Sequence, residues 1–291
     1  MVAEPKFFSL HVNGVEDLNF SNETSSVNAP AVFIINLDGS DKRLAQATTQ
    51  LEAVDAPFKR ISAFDGRNLD PESFAECDTK RFLNFMGRPI RGGEVGCYLS
   101  HVYAAQSFLS SGAAFGLVLE DDFRFLPSSW VLILELCKWA ETHSDDWDVI
   151  NLGHNRHKIF TQVHQFTDVT GHTMLTRAHY FPMTTNALFW SVAGATAFIA
   201  EHDKIFAPVD NYLRHWQTRR GRGLAVWPPI ISISNAESEI SNAHARRSKD
   251  GQLLSYGLLK QRRLITDKAF AYWHLLRFRI RSWRQTSKVR I

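Results

Sequence analysis

Hydrophobic and polar positions follow two periods along the chain from Ala31 onward. Short apolar runs, typical of buried strands, alternate with longer segments in which apolar residues recur every three or four positions, as on an amphipathic helix. Asp38 to Asp41 and similar turn and cap residues separate the segments. In chain order the pattern predicts strands at 31–37, 58–61, 115–120, 147–152, 186–190 and 224–227, with helices over 44–54, 95–109, 128–141, 191–202 and 209–219.

This alternation of strands and helices favours a mostly parallel sheet flanked by helices on both faces. We therefore expect an α/β fold with a single domain over residues 31–245, since no repeat or low-complexity linker divides that range. Residues 1–30 are polar and predict an N-terminal extension, and residues 246–291 predict a basic amphipathic C-terminal tail.

Charge is distributed unevenly, although the net charge is only +3. From Leu258 to the end, ten basic residues stand against one acid, so this segment carries +9 and the remainder −6. No stretch approaches the ~20 apolar residues of a membrane-spanning helix, and the N-terminus does not resemble a secretory signal. The three cysteines are far apart and form neither a disulfide framework nor a zinc pattern, which favours a reducing cytoplasm.

The apolar run Phe115 to Leu119 ends abruptly in Glu120, Asp121 and Asp122. Side chains alternate along a strand, so we expect Glu120 and Asp122 to share one face and Asp121 to point to the other, bonding backbone or solvent. Two carboxylates on one side of a strand end can hold a hard divalent cation together with waters and phosphate oxygens. The alternative is a solvated acidic turn.

Six blocks of sequence, taken in order, resemble glycosyltransferase family 25, the lipooligosaccharide and lipopolysaccharide core-sugar enzymes related to collagen galactosyltransferases. Each block alone is a weak signal, but their order over about 180 residues is specific. The resemblance does not cover residues 1–30 or the basic tail. The blocks are Ile34-Ile35-Asn36-Leu37-Asp38 with Lys42-Arg43, Ala63-Phe64-Asp65-Gly66-Arg67, Gly93-Glu94-Val95-Gly96-Cys97-Tyr98-Leu99-Ser100-His101, Leu117 to Asp122, Asp146 to Gly153, and Pro208-Val209-Asp210-Asn211-Tyr212.

The resemblance implies a GT-A-like (Rossmann-like) fold, a sugar-nucleotide donor, Mn²⁺ or a similar cation such as Mg²⁺, and inversion at the anomeric carbon. It makes Asp122 the direct metal ligand, with Glu120 facing the ribose or binding the metal through water. We expect His244, in Asn242-Ala243-His244, to supply a late metal or phosphate contact.

Donor-binding residues are expected where strands end, because ligands of open α/β sheets sit at the carboxyl ends of the strands. Asn36 and Asp38 end the first strand, where Asn36 would read a base edge or the ribose. Arg43 lies one turn into the following helix and is either a phosphate contact or a solvated cation. Asp65 and Arg67 would contact ribose or base if the resemblance holds, and otherwise form a simple turn.

An inverting transfer needs a base for the proton of the attacking hydroxyl. Asp210 is the candidate, with a helix-capping role as the alternative. Glu94 and His101, seven residues apart on one helix, would line the acceptor side, although Glu94 also suits the helix dipole and a lone helical His is commonly packed or solvated. His154 and His157 lack a third soft ligand and are discounted as a zinc site.

The basic tail mixes cations with aromatic and aliphatic residues, a composition suited to an anionic membrane surface. A helix docked on the core is the second interpretation, and nucleic-acid binding a distant third. The leading hypothesis is a peripheral enzyme on the inner face of the cytoplasmic membrane that moves galactose or glucose from a UDP-sugar to a lipid-linked core oligosaccharide. The alternatives are a metal-dependent phosphoesterase or nucleotidyltransferase and a non-catalytic carbohydrate-binding relic of the fold.

Overall fold

The computed structural model describes residues 29–143, 146–167, 172–233 and 251–289. His244 and almost all of the predicted N-terminal extension lie outside these described residues. The elements, in chain order, are β1 Ala31–Asn36, α1 Asp41–Glu52, β2 Phe58–Ser62, α2 Thr79–Met86, α3 Gly92–Ser110, β3 Phe115–Glu120, β4 Phe123–Phe125, α4 Ser129–Glu141, β5 Val149–Asn151, β6 Phe160–Gln165, β7 Met174–Ala178, β8 Ala187–Ser191, α5 Val192–Glu201, α6 Val209–Arg220, β9 Gly223–Trp227, β10 Ile231–Ile233 and α7 Tyr256–Val289.

Eight strands form one sheet in the order β2-β1-β3-β8-β5-β9-β7-β6, and β4 pairs with β10 in a small second sheet. Within the eight described strands, β7 and β8 run opposite to the other six. The predicted α/β class with a mostly parallel, helix-flanked sheet is thus confirmed, with two reversed strands added. β1, β3, β5 and β9 all end at one edge, where ligands of such sheets bind.

The central strands are apolar up to their last residues because both faces of the sheet are covered. In β1, Phe33 and Ile35 pack under α3, α5 and α6, whereas Val32 and Ile34 pack under α1 and α4. The two faces bury large side chains such as Trp190 and Trp147 almost completely. This rigid two-sided core fixes the strand ends that carry the polar residues.

Helix α7 packs against the ends of α2 and α6. Arg263 donates a hydrogen bond of 2.7 Å to the Phe85 carbonyl, and buried Asp267 accepts a 2.7 Å bond from Arg219. Ala271, on the same face, is fully buried. The interpretation of the tail as a helix docked on the core is therefore correct for the inner face of α7, which carries Arg263, Asp267 and Ala271.

Candidate active site

One face of α3 carries three ionisable side chains, Glu94, Cys97 and His101. Residues three and seven positions apart lie on the same side of a helix, so these form a line along its axis. Gly96 lets α3 approach the preceding loop, because a Cβ there would lie 2.5 Å from the Phe64 carbonyl oxygen. Ser100 fixes the same contact by accepting a 2.9 Å hydrogen bond from the Phe64 amide. The sequence blocks at residues 63–67 and 93–101 therefore pack directly against each other.

Glu120 ends β3 and turns toward this line. Its Oε1 lies 3.2 Å from Nε2 of His101 and accepts a 2.7 Å hydrogen bond from Thr185. Burial opposes ionisation of Glu120, but the bonds from His101 and Thr185 and the charge of Arg43 outweigh it, so its pKa lies below the usual value.

Strand alternation was the wrong reason for grouping Glu120 with Asp122. The strand stops at Glu120, the Asp121 amide donates the last hydrogen bond to β1 at the Ile35 carbonyl, and Asp121 and Asp122 form the turn into β4. Asp122 nevertheless stays close enough to Glu120 for their charges to repel. Burial, that repulsion and Asp121 raise the pKa of Asp122 to about 6, although Arg43 opposes the rise.

The sequence predicted that Asp121 bonds backbone or solvent, but in the structure its carboxylate bonds two side chains. It is 8% exposed, accepts a 2.7 Å hydrogen bond from the Asn36 side chain, and pairs with Arg43 at 2.8 Å. Arg43 also contacts Asp122 at 3.0 Å, so it is a half-buried bridge between two carboxylates and not a solvated helix cation. The helix after β1 brings it there.

The acidic cluster carries more negative charge than Arg43 alone neutralises. Glu120, Asp121 and Asp122 face one guanidinium, and the buried Oδ1 of Asp122 has no hydrogen-bond partner within the described part of the chain. Carboxylate oxygens of this kind are ligands for Mn²⁺ or Mg²⁺. The residues present therefore fit a divalent cation, with Asp122 as a direct ligand and Glu120 beside it.

A thiol also joins this cluster. Ligand atoms of Cys97, His101 and Glu120 lie within 4.8 Å of one another, a grouping that the cysteine count alone did not reveal. The signal was present in the spacing, because Cys97 sits three residues after Glu94 and four before His101. Sulfur and imidazole are softer ligands than the carboxylate pair.

Asp210 lies in a separate cavity of about 400 Å³, lined by Arg88, Arg91, Glu94, Pro208, Asp210, Asn211, Gln252 and Tyr256. Pro208, not Asp210, occupies the cap position of α6. Asp210 accepts a 2.7 Å hydrogen bond from the Asn211 amide, and burial raises its pKa. Glu94 pairs with Arg88, whose Nη1 is 2.9 Å from Oε2, and accepts from the Arg91 amide as half of a capping box.

The Cys97 thiol lies between Glu120 and Asp122 at one end of the α3 line and Glu94 and Asp210 at the other. Burial, followed by the charges of Glu120, Asp210, Glu94 and Asp122, raises its pKa well above the usual value. All four carboxylates are therefore within electrostatic reach of one side chain. The α3 line runs from the Asp210 cavity to the acidic end of β3, and the structure brings these predicted residues together.

The remaining predicted donor residues lie toward solvent. Asp38 accepts a 2.9 Å hydrogen bond from Ser62 and pairs with Arg60, which also donates at 2.9 Å to the Asn36 side chain. Asp65 and Arg67 form an exposed ion pair with each other at 2.7 Å, as in the simple turn. Hydrogen bonds from Arg67 lower the pKa of Asp65 to about 2.

His154 and His157 stack on each other and on Trp227, with ring centres 4.9 to 5.3 Å apart. Burial lowers the pKa of His154 to about 4 and, with the neighbouring imidazole, that of His157 to about 3. Both rings are thus neutral packing elements. No third metal ligand joins them among the described residues.

Comparison with known proteins gives one family. Residues 29–213 match the model described as Glycosyltransferase family 25 (LPS biosynthesis protein). Procollagen galactosyltransferase 1 of Danio rerio is 28% identical over 196 residues, covering 66% of this chain and 32% of that protein. Procollagen galactosyltransferase 1-B of Xenopus laevis is 28% identical over 218 residues, covering 69% of this chain and 35% of that protein.

Another relative, the Inactive glycosyltransferase 25 family member 3 of Homo sapiens, is 27% identical over 198 residues, covering 66% of this chain and 32% of that protein. The chain thus spans about a third of the length of these relatives. Among solved structures, a glycosyltransferase involved in the glycosylation of the major capsid of PBCV-1 matches with a TM-score of 0.38 and 10% identity, over 72% of this chain and 97% of that one. That likeness adds nothing to the fold, which rests on the strand order given above.

Proposed function

The chain belongs to glycosyltransferase family 25, and we propose that it is an active, inverting, metal-dependent hexosyltransferase. It would move galactose or glucose from a UDP-sugar to a lipopolysaccharide or lipooligosaccharide core acceptor. The observation that carries the proposal is the line of ionisable side chains on α3, which connects a carboxylate cluster suited to a cation with a buried carboxylate in a cavity. The family's galactosyltransferases suggest the hexose, and its description suggests the acceptor.

The donor would lie along the carboxyl ends of β1 and β3. Arg60 and Asp38 would meet the nucleoside, with Asn36 holding Asp121 and Arg60 in place because its amide is already bonded to both. Asp65 and Arg67 would extend this side. A divalent cation held by Asp122 and Glu120 would neutralise charge on the diphosphate. Arg43, beside Asp122, would add its own charge there.

Asp210 would act as the base on the acceptor side. The acceptor oxygen would form a bond to the anomeric carbon while the bond from that carbon to the diphosphate breaks and its electron pair stays on the diphosphate. Asp210 would receive the hydroxyl proton and later pass it to solvent. A carboxylate whose pKa is raised by burial is a better proton acceptor than an exposed one.

The outer face of α7 supports a membrane location. Leu258, Ile265, Tyr272, Leu276 and Trp283 are 57 to 76% exposed and fall on one side of the helix. We call this set the apolar stripe. Exposed Arg262, Lys268 and Arg279 sit three or four residues from its members and would meet anionic headgroups. No helix in the described ranges is long and apolar enough to cross a membrane.

The test is a panel of UDP-sugars incubated with the protein and Mn²⁺, with UDP release and product both measured. We expect one UDP-hexose to give UDP and a glycoside, and chelation of the metal to stop both. Phosphate release from substrates other than sugar nucleotides would instead indicate a phosphoesterase or nucleotidyltransferase. Sugar-nucleotide binding without turnover would place the chain with the relatives named as inactive.

A further inference from the structure

We propose that Gln252 and Tyr256, which lie beyond the family match, form part of the subsite that binds the acceptor sugar beside Asp210. The inference rests on the proposed function and adds a specific contact to it. Both side chains line the cavity that holds Asp210, although the family match ends at residue 213. The C-terminal segment would therefore be a wall of the site as well as a surface helix.

The segment before α7 is fixed against the cavity by backbone contacts. The Leu253 amide donates a 2.9 Å hydrogen bond to the Gly87 carbonyl. A Cβ on Gly87 would lie 2.9 Å from the ring of Tyr256, and one on Gly251 would lie 2.7 Å from Pro89. Gly87 and Pro89 flank Arg88, so the C-terminal segment and the loop that carries Arg88 form one packed wall.

Helix α7 holds that wall in position. Asp267 is 2% exposed and pairs with Arg219 at 2.7 Å and with His215 at 3.4 Å, both from α6. Nε2 of His274 lies 2.9 Å from the carbonyl oxygen of Arg219, one residue before α6 ends. The helix that begins at Tyr256 is thus tied to the helix that begins next to Asp210. Tyr256 and Asp210 therefore lie at the starts of two helices that are bonded to each other farther along.

The cavity suits a polyhydroxylated ring. Its volume of about 400 Å³ is sufficient for a small ligand. Gln252 carries an amide donor and acceptor, Arg91 carries a positive charge, and Tyr256 carries an aromatic ring with a hydroxyl at its edge. A sugar presents hydroxyls at its rim and C–H groups on its faces, which matches polar groups beside a phenol ring.

The experiment compares acceptor and donor KM values for Tyr256→Ala, Tyr256→Phe and Gln252→Ala. The acceptor probes are octyl β-galactoside, octyl β-glucoside and deacylated lipopolysaccharide core oligosaccharide. Gln261→Ala is the matched control, because this glutamine is exposed on the same helix and lies outside the apolar stripe. We expect Tyr256→Ala to raise acceptor KM at least about tenfold, as loss of ~1.4 kcal/mol of binding would do. Tyr256→Phe should have a smaller effect.

Failure of the inference can be told from failure of the proposed function. An unchanged acceptor KM in folded Tyr256→Ala and Gln252→Ala would overturn it, as would an equal rise in the Gln261→Ala control. So would a wild-type protein that releases UDP but transfers sugar to none of the three probes. Wild-type protein that releases no UDP from any donor would instead refute the proposed function. Melting temperatures identify a variant that has merely unfolded, in which case Gln252→Ala decides.

Discussion

Adjacent carboxylates at the end of β3 have opposite surroundings. Asp121 accepts a hydrogen bond from Asn36 and forms an ion pair with Arg43, so its negative charge is compensated by groups of the protein. Asp122 shares Arg43 but keeps one buried oxygen without a hydrogen bond among the described residues. A buried carboxylate oxygen without a hydrogen bond is costly, and a cation bound to it would remove that cost. We therefore infer that Asp122 binds the metal and that Asp121 positions Arg43.

Asp210→Asn should slow sugar transfer by about 10²–10⁴-fold, the range for loss of a general base. The amide keeps the shape of the side chain and its bond to the Asn211 amide, but it cannot accept the proton. Asp203→Asn is the control, because Asp203 is an exposed acid near the start of the same helix. Steady-state kinetics of both variants give the result, and equal rates in Asp210→Asn and wild type would remove Asp210 from the mechanism.

At the scale of elements, α3 depends on glycine where it crosses the loop after β2. Gly96→Ala would place a methyl group 2.5 Å from a carbonyl oxygen, so the helix must shift. We expect a loss of about 1–3 kcal/mol in the free energy of unfolding, typical of overpacking. Gly257→Ala, in the first turn of α7 with nothing within 4 Å, should be neutral or stabilising by up to about 1 kcal/mol. Denaturant unfolding of the pair checks this, and equal stabilities would contradict it.

Elements with strong periodicity were predictable from the sequence, and weakly patterned ones were not. The apolar run of β1 and the stripe of α3 matched the structure within a few residues. Strand β6 was missed because Phe160–Gln165 alternates poorly and packs only at a sheet edge. Helix α2 was missed because eight residues with two buried side chains give too short a pattern.

The candidate site was predictable only where a motif marked it. Glu94, His101, Glu120, Asp122 and Asp210 belong to blocks that resemble a family. Their partners come from unmarked positions, such as Arg60 on an edge strand, Arg88 in a loop, Thr185 before β8 and Tyr256 on the tail. Such contacts depend on strand order and helix docking, which no local spacing encodes.

At the scale of the whole molecule, histidines that stay neutral in the folded chain make the free energy of unfolding depend on pH. His157 titrates near 3 in the folded chain against 6.5 when unfolded, because burial and His154 lower its pKa. Its contribution is fully present above pH 6.5 and is lost as pH falls toward 3, since the unfolded chain then binds the proton first. Replacing it with Phe should make unfolding free energy fall less between pH 7 and 4. Urea unfolding across that range tests this, and an unchanged slope would contradict it.

The inner face of α7 packs on the core, and we propose that its outer face, which carries the apolar stripe, binds a membrane surface. Ile265→Asp with Leu276→Asp should weaken flotation with phosphatidylglycerol vesicles while leaving the docked inner face intact. Val131→Asp is the control, since Val131 is 66% exposed on α4, close to the 65% of Ile265. Equal flotation of the double variant and the control would refute a membrane role for the apolar stripe.

Cation binding at the end of β3 is the central claim, and Mn²⁺ titration followed by electron paramagnetic resonance in the presence of UDP tests it most directly. Asp122→Asn removes the proposed ligand, and Asp41→Asn, an exposed acid in the first turn of α1, is the matched control. The account predicts one bound Mn²⁺ per chain in wild type and in Asp41→Asn, with affinity reduced by about 10²-fold or more in Asp122→Asn. Equal Mn²⁺ binding by all three proteins, or none by wild type, would contradict it.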